Sequence, residues 1–174
     1  KLAVNKLVEA TRTVGGKGKE EAVEDIASKL ELDFSEDYIM YVGDSITDVE
    51  ALQFARRNGG LSVSFNGNEY PLNVAEIAVI SDNALATSIL IDLYARFDKE
   101  YVLDFIRLYE EKGPIYAFDD FSVDYVLIEE FERVYSNKPA PTIAIVREDN
   151  KEELLKASKQ MRTSIRGRDI GGLG

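Results

Sequence analysis

Short unbroken apolar runs alternate with longer stretches of helical periodicity along the chain. Tyr38-Ile39-Met40-Tyr41-Val42 leads straight into Gly43-Asp44, and such a run predicts a strand buried on both faces, as in a parallel sheet. Leu61 to Phe65 and Ile77 to Ile80 are further short apolar runs of this kind. Between the first two, Thr47 to Arg57 has helical spacing, with Thr47 and Glu50 in capping-box register and Asn58-Gly59-Gly60 as its stop. Asn66-Gly67-Asn68 is a turn, and Pro71 to Ala75 predicts a short helix. Asn83 to Phe97 is an amphipathic helix with Ala86, Ile89, Leu90, Leu93, Tyr94 and Phe97 on one side.

Upstream, Leu2 to Ala10 has helical spacing, Thr11 to Val14 predicts a short strand, and Gly15 to Lys19 reads as a Gly-rich turn. A helix follows to Leu30, with Ala22, Val23, Ile26, Ala27 and Leu30 on one face, then a loop from Asp33 to Asp37. From Asp98 the pattern becomes mainly helical: a helix to Lys112, one from Ser122 to Tyr135, a strand at Thr142 to Val146 and a last helix from Asn150 to Ile165. Strands separated by helices through short connections predict βαβ units and an α/β fold. The expected organisation is a core over residues 1–97 and a mainly helical acidic extension over 98–174, packed on it.

Composition narrows the chemistry. The chain of 174 residues is 45% apolar, enough for a substantial core. It has no Cys and no His, so thiol chemistry, disulfides, imidazole bases and histidine ligands are excluded, and a metal would be held by oxygen. A net charge of −11 argues against nucleic-acid or anionic-membrane partners. No apolar run approaches a membrane span and no signal peptide is visible, so a cytoplasmic location is expected. Residues 98–137 carry eleven acids and four bases, a solvated face or a surface for a basic partner. Arg162, Arg166 and Arg168 form a basic tail, expected to satisfy helix carbonyls, with a phosphate as the alternative contact.

Asp44 and Asp48 lie at the carboxyl end of the first predicted strand, where open α/β sheets place their ligands. Two carboxylates there suit Mg²⁺, which takes one or two carboxylates together with waters and a substrate phosphate. The same residues also suit a turn cap and a helix's first turn. Three pieces line up in order: Gly16-Lys17-Gly18 before a helix, Val42-Gly43-Asp44-Ser45-Ile46-Thr47-Asp48, and Ser64-Phe65-Asn66-Gly67, with Lys17 placed 27 residues before Asp44.

This arrangement resembles the C-terminal half of the haloacid dehalogenase (HAD) superfamily of aspartate-nucleophile phosphatases, over roughly Thr11 to Thr87. The resemblance implies a three-layer α/β/α, Rossmann-like core with a parallel sheet, only part of which this chain supplies. It implies Lys17 as the lysine that neutralises phosphate, with Lys19 competing for the role. It also implies Asp44 as a magnesium carboxylate, Asp48 as its ligating or orienting partner, and Asn66 as a phosphate contact. The family's Asp-x-Asp nucleophile is missing: Phe118-Asp119-Asp120-Phe121 has the wrong spacing and position. The chain opens at Lys1 without Met, which suggests a fragment whose nucleophile lies upstream. The expected substrate is a small phosphate monoester, the cofactor Mg²⁺, and the partner an N-terminal fragment of the same protein or a second copy. The chain alone is expected to be inactive. A non-catalytic HAD-like binding module is the alternative. A receiver-like domain is disfavoured, because there the acids precede the lysine.

Overall fold

The computed structural model describes residues 15–34 and 39–171, with side chains described as far as Gly167. The predicted helix at 2–10, the predicted strand at 11–14, Tyr38 and the tail beyond Gly171 lie outside the described residues, as does the Arg168 side chain. Four strands form one sheet in the order β1 (Met40–Gly43), β2 (Leu61–Phe65), β3 (Ile77–Ile80) and β4 (Thr142–Ile145). The first three pair in parallel, with Val42 opposite Val63 and Ser64 opposite Ala78. β4 runs antiparallel to β3, Ala144 facing Ala78. The sheet is therefore mixed, and the wholly parallel sheet expected from the sequence is corrected: an antiparallel edge strand on an otherwise parallel sheet is common.

Eight helices accompany the sheet among the described residues: α1 (Gly16–Lys29), α2 (Val49–Arg57), α3 (Glu69–Val74), α4 (Leu85–Arg96), α5 (Lys99–Lys112), α6 (Pro114–Asp120), α7 (Tyr125–Tyr135) and α8 (Lys151–Gly171). Side chains cap several of them. Asn68 accepts from Tyr70 N, Asp98 from Tyr101 N, and Asp124 from Val126 N, each satisfying a first-turn N–H. Gly113, at φ +91°, separates α5 from α6, and Pro114 starts α6 without needing an N–H. No helix of the described residues is long and apolar enough to cross a membrane.

Strand alternation divides the core into two clusters. Leu61, Val63, Ile77, Val79 and Ile143 pack with Ile89 and Leu93 of α4, Phe105 and Ile106 of α5, and Phe131 of α7. The intervening residues Ala78, Ile80 and Ala144 pack with Leu72 of α3 and Leu154 of α8. The first cluster draws on residues from both sides of position 97, and β4 belongs to the same sheet as β1–β3. The carboxyl ends of the parallel strands thus form one edge, and α8 is fastened beside it by Ser158 Oγ donating to Gly67 O at 2.7 Å.

Phe105 is fully buried, with its ring near those of Tyr109, Phe118 and Phe121. Phe105→Ala leaves a cavity between α5, α6 and the sheet and is expected to cost about 3–5 kcal/mol. Urea denaturation followed by circular dichroism checks this; a loss below about 1 kcal/mol contradicts the packing described.

Candidate functional site

The edge is organised by a buried acid. The chain leaves β1 at Gly43, turns through Asp44 and Ser45, and makes a short 3₁₀ turn at Ile46–Asp48 before α2. Asp48 is 4% exposed, and its carboxylate folds back over the turn. Oδ2 accepts the backbone N–H groups of Asp44 (3.2 Å) and Ser45 (3.1 Å) and the Ser45 hydroxyl (2.9 Å). Oδ1 accepts Lys19 Nζ at 2.6 Å and the Tyr41 hydroxyl at 3.0 Å. Gly43 is required by this closeness, since a Cβ there would lie 2.3 Å from Asp48 Cβ. The acid that closes the cap is thus Asp48 reaching back to Ser45. This corrects the Thr47–Glu50 capping box expected from the sequence, and α2 starts at Val49.

Burial would push the Asp48 carboxyl up, but the hydrogen bonds from Lys19, Ser45 and the two backbone N–H groups outweigh it and hold it below its ordinary value. Burial and the facing Asp48 charge push Tyr41 up to about 12, so it remains a donor at neutral pH. Tyr41 was not singled out by the sequence. Its only signal was its place in β1 just before the acidic turn.

Lys17 and Lys19 part company because α1 begins earlier than the Gly-rich turn suggested. Gly16 is its first residue, and a Cβ there would sit 2.1 Å from Glu50 Oε2. The Glu50 carboxylate lies against the positive amino end of α1. In the first turn, Lys19 points to Asp48 while the Lys17 side chain is 84% exposed, 4.0 Å from Glu21. Lys19 is the lysine that the structure brings to the acids, and Lys17 is not.

Asp44 stays at the surface, its side chain 57% exposed, with Arg162 Nη1 3.5 Å from Oδ2. The same Nη1 donates to the carbonyls of Asp44 (3.0 Å) and Asn66 (3.1 Å), spanning the ends of β1 and β2. Asn66 adopts φ +47°, as a turn asparagine can. Its side chain is spent inside the protein: Nδ2 donates to Ser81 O at 2.6 Å and Oδ1 accepts Ser81 N at 3.0 Å. The amide thus ties the end of β2 to the residue after β3, with one of its two N–H groups and its oxygen engaged within the protein.

Magnesium takes oxygen ligands with free lone pairs. Both Asp48 oxygens are saturated by donors, so Asp48 orients the turn and Lys19 rather than presenting a lone pair to a metal. Asp44 is left as one carboxylate, and a cation already stands beside it. Among the described residues no group of three acidic, His or Cys side chains is placed to hold a metal. These residues by themselves therefore do not fit Mg²⁺.

No family model matches the chain, and no curated protein matches it. Among solved structures the chain is similar to gene product AF1437 from Archaeoglobus fulgidus, with a TM-score of 0.66 and 27% sequence identity. The match covers 96% of this chain and 43% of that one, so the chain spans less than half of the neighbour's length.

Because the folded-state pKa of Asp48 is depressed, its stabilisation is present above the ordinary carboxylate range and is lost as pH falls through the lower folded value. Asp48→Asn is expected to cost about 2–3 kcal/mol at pH 7, because Lys19 loses its anionic partner. It is also expected to flatten the stability loss that sets in as pH falls through the ordinary carboxylate range and below it. Denaturation midpoints across pH check both, and an unchanged acid limb contradicts the assignment.

Proposed function

We propose that the chain is the lysine- and acid-bearing part of a HAD-like, magnesium-dependent phosphohydrolase with a three-layer α/β/α core. It acts on a small phosphate monoester in the cytoplasm. The observation that carries this reading is the Lys19–Asp48 pair at the carboxyl ends of parallel strands, held by a saturated hydrogen-bond shell. Fixed in this way, the Lys19 ammonium sits where a phosphoryl group's negative charge would be met, and no rearrangement is needed to present it. Asp48 is the positioning acid. Asp44 is the exposed carboxylate of the site, and it would share a magnesium ion only with oxygens from outside the described residues.

The nucleophile in this proposal is an aspartate outside the described residues. Its carboxylate oxygen attacks phosphorus, the P–O bond to the alcohol breaks, and the leaving alkoxide takes its proton from solvent water. Water then cleaves the aspartyl-phosphate to the acid and inorganic phosphate. Among the described residues β1 pairs only with β2, and Val42 on it is exposed, so a strand bearing that aspartate has an edge to join. The strand would come from an N-terminal segment of the same protein or from a second copy.

A second reading, a non-catalytic binding module, is favoured by the way the polar groups satisfy one another. Both Asp48 oxygens are bonded, Asn66 is tied to Ser81, and Asp44 faces Arg162. The test is turnover of p-nitrophenyl phosphate with Mg²⁺ by the 174-residue chain and by the gene product at its natural length. The phosphatase reading expects activity only at natural length, reduced on the order of 100-fold by Asp44→Asn. Absence of turnover at natural length removes it in favour of the binding module, and turnover indifferent to Asp44→Asn, or turnover by the 174-residue chain alone, overturns the roles assigned here.

A further inference from the structure

Two hydroxyls and an ammonium meet where β3 ends. Ser81, 1% exposed, and Tyr135 of α7 share one hydrogen bond between Oγ and Oη at 3.0 Å. Both oxygens also accept from Asn83: Oγ takes its backbone N–H at 3.2 Å, and Oη takes its Nδ2 at 3.0 Å. The two hydroxyls carry two protons, and the bond between them uses one. Whichever of the pair donates, the other's proton has no acceptor among the described residues. The Lys138 ammonium lies 4.6 Å from the centroid of the Tyr135 ring and donates to both Asp82 oxygens at 2.7 Å. That engages two of its three N–H groups, and the third has no acceptor among the described residues. Donors are therefore left over at this strand end.

Ser81, Asp82, Tyr135 and Lys138 all line a cavity of about 410 Å³, to which Pro141, Ala157 and Met161 add apolar surface. Ligand sites of this size are mostly apolar, with a few polar groups that fix orientation. Ser81 and Asp82 follow β3, so the cavity lies at the carboxyl end of a parallel strand, two strands along the sheet from the Asp44–Asp48 turn. We propose that it is a binding site for a small neutral carbonyl compound, separate from the Lys19–Asp48 pair. The ligand's carbonyl oxygen takes the leftover hydroxyl proton and the third ammonium N–H, and its apolar body lies against Pro141, Ala157 and Met161. Neutrality follows from the charges already present. Asp82 balances Lys138, so a carboxylate would bring an uncompensated charge beside Asp82. A ligand without an acceptor would strip water from the donors and put nothing in its place. The site does not require phosphatase activity.

The test uses benzamide as the probe, titrated into the isotope-labelled intact chain and followed by nuclear magnetic resonance. Benzamide is expected to shift the backbone amides of Ser81, Asn83, Ala157 and Met161 saturably, with a Kd on the order of 1 mM. Benzoate, which has the same ring and a charge, is expected to bind on the order of tenfold more weakly. Ala157→Phe fills the cavity and is expected to abolish the shifts. Ser81→Ala leaves the Tyr135 proton available and is expected to keep the affinity. Adding Tyr135→Phe removes the last hydroxyl and is expected to weaken binding on the order of tenfold. No saturable shift at these amides, benzoate binding as tightly as benzamide, or binding unchanged by Ala157→Phe or by the double variant overturns the proposal. The comparison of benzamide with benzoate needs no substitution, so it decides the matter even if the variants do not fold. Since the readout is binding two strands away from Asp48, loss of the phosphatase reading leaves these outcomes distinguishable.

Discussion

A carboxylate cannot be taken out of water without partners, and Asp48 is the acid on which this edge of the fold depends. Its five hydrogen bonds draw together Tyr41 on β1, the backbone of the Asp44–Ser45 turn, the Ser45 hydroxyl and Lys19 on α1. Each of those elements would otherwise leave a polar group to be satisfied elsewhere. Gly43 follows from the same constraint, because only a residue without Cβ lets the chain pass so close to Asp48. Gly16 follows from its neighbour: it lets the Glu50 carboxylate approach the amino end of α1, and so sets the helix that delivers Lys19.

The other strand ends are locked by different means. Asn66 bonds to both the N–H and the carbonyl of Ser81, which holds the ends of β2 and β3 at a fixed separation. Ser81 in turn shares its hydroxyl with Tyr135 of α7, so a helix from the far part of the chain is tied to the same edge. Ser158 and Arg162 bring α8 over the carbonyls of Gly67, Asp44 and Asn66. The residues beyond Asp98 are thus part of the edge itself, through β4, α7 and α8.

The three parallel strands and the turns after the first two were legible in the sequence, because short apolar runs ending in Gly-Asp or Asn-Gly leave few alternatives. The direction of β4 was not legible, since strand pattern alone carries no information on pairing partner. The choice between Lys17 and Lys19 turned on where α1 begins. Residues two apart on a helix project about 200° apart, so a start at Gly16 sends one lysine to Asp48 and the other to solvent. A Gly-rich stretch hides such a start, and the clash that selects Gly16 involves Glu50, far away in sequence. Asn66 was legible as a turn residue with positive φ but not as a bridge to Ser81, a long-range contact. Arg162 read as part of a basic tail because its role depends on how α8 docks, which only Ser158, Leu154 and the strand-end carbonyls determine.

The central claim is that Lys19 and the buried Asp48 act as one unit, and a double-mutant cycle on Lys19→Ala and Asp48→Ala measures it most directly. The account predicts a coupling energy of about 1.5–3 kcal/mol in unfolding free energy, the range for a hydrogen bond between charged groups. The two substitutions adding to within about 0.5 kcal/mol would mean that the pair is not a unit, and would contradict the account.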